Sequence, residues 1–285
     1  FGVQSLNDVE LKAIGRIHNA KQALEAIGMA KDAGFKRINA DIMYGLPLQT
    51  LESLRKTLET ISVTGIEHIS AYSLILEEGT PLEKLVDAGK LILPSEDETA
   101  DMYDFVQGFL ASHGYKRYEV SNYARNQGES EHNKVYWAYH PYLAFGAAAC
   151  SFNGLERITA TADVKKYVAS VNTILDKACS TFAESNQDFK EYSSIYNNEE
   201  LYEVEKLSKD ELIAEFMFMG LRTCRGANLT EVKERFGIDV LQEFAGELEQ
   251  FFANDLLEFD KETNYLKLTE SGMAVGNNVF EAFIR

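Results

Sequence analysis

Cysteine is scarce: only Cys150, Cys179 and Cys224 occur, 29 and 45 residues apart. That spacing makes neither a disulfide framework nor a local metal knuckle, and reduced thiols in a cytoplasmic protein are the expectation. Long apolar runs are missing too. None approaches the roughly 18 residues of a membrane span. Positive charge is in deficit, with 28 Lys and Arg against 45 Asp and Glu and a formal net charge of −17. An acidic surface repels phosphate backbones, so nucleic acid is not an expected partner. No G-x-x-x-x-G-K phosphate loop occurs, and no Ser-His-Asp arrangement is suggested. No signal peptide opens the chain. It starts at Phe1 without an initiator Met, and its first residues already read as strand. The expectation is therefore a piece of a longer protein.

The 285 residues suffice for two domains. Phe1–Ser5 reads as the end of a strand. Ala20, Ala23, Leu24, Ile27 and Ala30 recur at helical spacing within Asn19–Ala33. Lys36–Leu46 reads as a strand, and Thr50 caps a helix whose Leu51, Leu54, Leu58 and Ile61 share a face. His68–Leu76 is a further strand. This alternation predicts a parallel sheet with helices outside it, and ligands of such sheets gather at the carboxyl ends of the strands. A helix from about Ser95 to His113 and a strand over Tyr115–Tyr123 follow. The polar, acidic stretch 181–206 reads as a surface excursion or linker. Ser208-Lys209-Asp210-Glu211 starts a helix with a capping box. Helices at Leu229–Phe236 and Asp239–Phe252, then a hairpin of Leu256–Phe259 and Tyr265–Leu268, suggest a winged-helix domain over 207–285. Residues 201–285 carry 9 Lys and Arg and 17 Asp and Glu. The resulting −8 suits a packing or partner module better than DNA binding.

Arg16 alone would be a surface arginine. With Gln4 and Asp41 at one sheet end it completes a guanidinium, an amide and a carboxylate, groups that can grip a zwitterionic amino acid and a ribose. His132 alone would be structural or merely exposed. In His132-Asn133-Lys134-Val135-Tyr136-Trp137 it stands beside large aromatics, though Tyr136 and Trp137 equally suit core packing.

The ordered series GVQS, IGRIH, DIMYGLP and HISAYSLILEEGTP resembles the HemN/HemW family of radical S-adenosylmethionine (SAM) proteins. The later block Glu119–Arg125 followed by His132–Trp137 resembles the EISNFAR…HNxxYW block of its HemW branch, the haem chaperones. The likeness extends to Leu268-Thr269-Glu270-Ser271-Gly272 near the C-terminus. It implies an α/β fold, with the later half of a partial TIM-type radical SAM barrel and the family's middle region together over 1–180, followed by the linker or excursion and the winged-helix-like domain. It implies that Gln4, Arg16, Asp41 and Ala71 contact SAM. It also implies that His132 binds haem iron and Tyr136 stacks on or ligates the haem. The implied cofactors are SAM, a [4Fe-4S] cluster and haem. The implied partner is a haem-accepting protein, and a homodimer stays open. The alternative within the family is an enzyme, oxygen-independent coproporphyrinogen III oxidase. Three departures stand out. The family's C-x-x-x-C-x-x-C motif is absent from this sequence, so this stretch alone is not expected to do radical chemistry. Gly146-Ala147-Ala148-Ala149-Cys150-Ser151 replaces GPGAHS. Leu48 replaces the second glycine of GLPGQT, which reads as the milder change.

Overall fold

The computed structural model describes residues 1–182 and 201–285, with side chains described for residues 1–173 and 201–285. Contacts divide it into two units, Phe1–Ser130 and Glu131–Arg285.

The first unit runs β1 (Gly2–Gln4), α1 (Asp8–Ala13), α2 (Ala20–Asp32), β2 (Asn39–Tyr44), α3 (Leu51–Val63), β3 (His68–Ser73), α4 (Pro81–Asp87), α5 (Glu96–Ser112), β4 (Lys116–Arg117) and β5 (Asn122–Ala124). Its sheet has the order β1-β2-β3-β5-β4. The first three strands are parallel, as helix-length crossovers require, and β5 and β4 are antiparallel additions. Asn19, Thr50 and Ser95 each close a capping box at the start of α2, α3 and α5, which satisfies first-turn N–H groups that have no intrahelical partner. Strand period two then divides the sheet into faces. Ala40, Ile42 and Tyr44 of β2 turn into a core with Ile27, Leu54, Leu58, Val106 and Leu110 from the helices. Asn39, Asp41 and Met43 alternate with them and take the other face, where pairing sets them beside His68, Ser70 and Tyr72. The single strand expected over Tyr115–Tyr123 is two short ones instead. Between them the Ser121 N–H donates to the Glu119 carboxylate at 3.1 Å, a local bond that competes with the ladder.

The second unit runs α6 (Glu131–Trp137), β6 (Cys150–Phe152), β7 (Glu156–Ala160), α7 (Val164–Phe182), β8 (Tyr202–Lys206), α8 (Lys209–Leu221), β9 (Ala227–Asn228), α9 (Leu229–Phe236), α10 (Val240–Glu243), α11 (Ala245–Ala253), β10 (Leu257–Asp260), β11 (Tyr265–Leu268), α12 (Glu270–Ala274) and α13 (Gly276–Phe280). Ser208 and Glu211 form the expected reciprocal cap of α8. The hairpin β10–β11 gains β9 as a third strand, and helices precede it as in a winged helix. The helix expected over Asp239–Phe252 breaks at Phe244, whose φ of −112° and ψ of 22° leave the helical region. Of the stretch read as a linker, residues 183–200 lie outside the described residues. Tyr202–Lys206 is no linker but a strand, paired antiparallel with β7 from Ala160 to Glu156.

Both glycine replacements fall on left-handed backbone: Leu48 has φ 65° and Ala148 φ 61°. A side chain in this region costs roughly 1–2 kcal/mol, partly offset because glycine loosens the unfolded chain. Leu48→Gly and Ala148→Gly are each expected to stabilise the chain by about 0.5–1 kcal/mol. Urea unfolding checks this, and a loss of stability in both variants would contradict the backbone assignment.

Candidate functional site

Two groups of residues stand out, one in each unit. In the first, Gln4 ends β1 at a register irregularity, opposite Ile42. It is buried, and its φ of 65° is unusual for a residue with a side chain. Ser5 follows and donates to Glu10 at 2.6 Å, and the Asn7 side chain donates to the other Glu10 oxygen at 3.0 Å. Gln49 donates to Glu10 at 3.4 Å and to the Met43 carbonyl at 3.0 Å, while its own oxygen accepts from Leu46 N–H at 3.2 Å. The fully buried Glu10 thus ties the segment after Gln4 to the Gly45-Leu46-Pro47 turn. Sequence reading passed over Glu10 and Gln49, because an isolated acid and amide carry no signal until the chain folds.

Asp41 accepts from the Asn39 amide at 2.6 Å. The Asn39 oxygen accepts from His68 Nδ1 at 2.7 Å, and His68 Nε2 accepts from the Tyr118 hydroxyl at 2.7 Å. Burial pushes the Tyr118 hydroxyl up to about 12, so it stays protonated and able to donate. Burial also pulls His68 below its ordinary 6.5, against the opposing pull of Asp41 and Glu129. This relay fixes the orientation of the Asp41 carboxylate through three side chains. His68, the first residue of β3, is a member of it. Because folded His68 resists protonation more than unfolded His68, the unfolded state binds the extra proton first as pH falls through 6.5. The first unit should therefore lose stability below that pH. His68→Gln should flatten the fall in urea midpoint between pH 7.5 and 5.5, and identical slopes would contradict the account.

In the same row, Ser70 pairs with both Asp41 and Asn122. Asn122 Oδ1 is buried with no hydrogen-bond partner. Arg16 is exposed on the loop after α1, and no described residue bonds or pairs with its guanidinium. The Ala71 side chain lies on the opposite face, within the hydrophobic core, so any ligand contact from Ala71 would come from its main chain. The structure brings Asp41 and Asn122 onto one face of the sheet.

In the second unit, α6 carries His132 and Tyr136 one turn apart, their rings edge to face at 4.9 Å. Tyr136 in turn meets Tyr142 at 4.6 Å. His132 is exposed, and its imidazole bonds no described residue. The segment after α6 leaves Leu143 and Phe145 66% and 85% exposed, an apolar surface beside the aromatic cluster. The end of α6 is anchored by Tyr139, whose φ is 51° and whose hydroxyl donates to Glu215 Oε2 on α8 at 2.7 Å. Arg157 on β7 pairs with the other Glu215 oxygen. Among the described residues no group of three His, Cys, Asp or Glu side chains could hold a metal. No helix among them is long and apolar enough to cross a membrane.

Comparison with known proteins gives this geometry a setting. A radical SAM superfamily model matches residues 1–61, and a HemN C-terminal domain model matches residues 207–275. Heme chaperone HemW of Bacillus subtilis is 32% identical over 284 residues, covering 100% of this chain and 68% of that protein. Heme chaperone HemW of Lactococcus lactis is 33% identical over the same length, with the same coverage. The solved structure of coproporphyrinogen III oxidase (HemN) from Escherichia coli, described as a radical SAM enzyme, superposes with a TM-score of 0.71. It covers 99% of this chain and 62% of that one at 18% identity, a likeness of fold. The chain belongs to the HemN/HemW family of radical SAM proteins, on its HemW side.

Proposed function

We propose that the protein is a cytoplasmic haem chaperone that binds haem on α6 and hands it to haem-requiring proteins. The observation carrying this is His132, exposed on α6 with no bond to a described residue and flanked by Tyr136. Neutral imidazole is a common axial ligand of haem iron, and aromatic edges and faces suit a flat macrocycle. His132 would hold the iron and Tyr136 the porphyrin face. Relatives named heme chaperones, aligned over the whole chain, support the reading.

In the first unit, the groups near the strand ends fit SAM in kind. Asp41, oriented by Asn39, would accept from ribose hydroxyls, and the unpartnered Asn122 oxygen from an amino group. Gln4 would add an amide and Arg16 a counter-charge to the SAM carboxylate. When bound beside a reduced cluster, SAM supplies a carbon radical. The described residues do not fit a [4Fe-4S] cluster, since Cys150 and Cys224 belong to no metal-binding group.

The test is haem transfer. The complete protein, loaded with haem, is mixed with an apo-haem enzyme, and recovery of enzyme activity is followed. Transfer is the expected result. Absence of transfer, with conversion of coproporphyrinogen III to protoporphyrinogen instead, would overturn the proposal in favour of the oxidase.

A further inference from the structure

Three side-chain atoms among the described residues are buried without a hydrogen-bond partner, and two of them adjoin: Trp137 Nε1 and Arg222 Nε. Both are N–H donors, so neither can satisfy the other. The Arg222 guanidinium carbon lies over the Trp137 ring, 5.3 Å from its centroid. Arg222 caps the C-terminal end of α8, where the helix dipole favours a cation. Stacking and dipole hold the guanidinium in place, yet among the described residues it has no counter-ion. That is unexpected in a chain with 45 acidic residues against 28 basic ones. In the same unit Arg157, Arg235 and Arg285 each pair with glutamates. A buried donor without an acceptor is costly, and two such donors beside one full positive charge call for an anion with more than one oxygen.

We infer that Trp137 and Arg222 form a carboxylate-binding site at the end of α6, which takes a propionate of the porphyrin whose iron His132 binds. This rests on the proposed haem site. His132 and Trp137 share α6 and are five residues apart, about 7.5 Å along its axis. Five residues also turn the helix by about 140°, so a porphyrin held at its metal by His132 would bring a rim carboxylate around the end of α6, where Trp137 is the last residue. The competing structural role is a stack that merely pins α6 to α8, with water on both donors.

Trp137 is the single tryptophan of the chain, so its fluorescence reports occupancy at this position. The chain is titrated with haemin and with haemin dimethyl ester, which keeps the iron and macrocycle but lacks both carboxylates. Tryptophan quenching and the Soret band are followed together. The site requires haemin to bind about tenfold more tightly than its diester. Arg222→Gln should abolish that preference without moving the Soret maximum, and Arg222→Lys should keep part of it. His132→Ala should alter the Soret band yet keep the preference for the diacid. Equal affinities of the wild-type chain for haemin and diester would overturn the site, and this comparison needs no variant to fold. A preference that survives Arg222→Gln, with the urea midpoint unchanged, would overturn it as well. A Soret band unaffected by His132→Ala would instead count against the iron ligand, while the diacid preference still decides the carboxylate site.

Discussion

Alanine at Gly272 is expected to cost the second unit about 3 kcal/mol or more, a large share of the stability of a domain. Gly272 lies in α12, where its N–H is the one that the Thr269 hydroxyl caps, at 3.0 Å. The Leu256 carbonyl accepts from Thr269 N–H at 3.1 Å and passes directly over Gly272. A Cβ built there would stand 2.0 Å from that oxygen, and the atoms behind it are also backbone. No rotamer change relieves such a clash. Either α12 moves off the hairpin or the cap breaks, and the buried Met273 and Val279 lose their packing in both cases. Gly246, in α11, meets nothing within 4 Å of an added Cβ. Gly246→Ala should therefore be neutral or stabilising by up to about 1 kcal/mol. Urea unfolding of the two variants side by side checks the contrast, and a Gly272→Ala midpoint within error of wild type would contradict it.

The second large effect is expected at Glu215. Its carboxylate receives the Tyr139 hydroxyl on one oxygen and Arg157 on the other, with its own side chain only 12% exposed. Burial, reinforced by the bond to Glu215, raises the Tyr139 hydroxyl far above its ordinary range, so it stays protonated and able to donate. Glu215→Ala strands a buried hydroxyl and a half-buried guanidinium together. Breaking a buried pair costs roughly 3–5 kcal/mol, and the partial exposure of Arg157, which also reaches Glu205, brings the expectation down to about 2–3 kcal/mol. Glu215→Gln keeps an acceptor for Tyr139 and should lose less than half as much. Equal losses for the two variants would mean that charge, not satisfaction of the buried donors, sets the cost. Tyr139 follows α6 by two residues, so loss of this anchor should also loosen the helix that carries His132.

Much of this architecture is legible in the chain. Asn19, Thr50, Ser95 and Ser208 announce their helices through local chemistry alone, and the alternation of periods two and 3.6 announces β1 to β3 and their crossovers. Leu268-Thr269-Glu270-Ser271-Gly272 carries a cap and a close approach in five residues. What stayed hidden is non-local. Tyr202–Lys206 looks like an acidic linker because β8 has four of its five residues exposed, so no apolar alternation marks it. Its pairing with Glu156–Ala160 spans more than forty residues of sequence. The Asp41–Asn39–His68–Tyr118 relay depends on a strand register that no single segment encodes. Trp137 and Arg222 meet only through the packing of α6 and α8. Family resemblance proposes Gln4, Arg16, Asp41 and Ala71 for SAM, whereas the burial of Ala71 in the core follows only from the pleat of β3.

His132 on α6 is the proposed iron ligand. Its most direct measurement is a haem titration of the chain and of His132→Ala, followed in the Soret region. A saturable Soret shift is expected in the wild-type chain and lost in the variant, with urea midpoints unchanged because His132 is exposed and bonds no described residue. Identical Soret titrations for the two chains would contradict it.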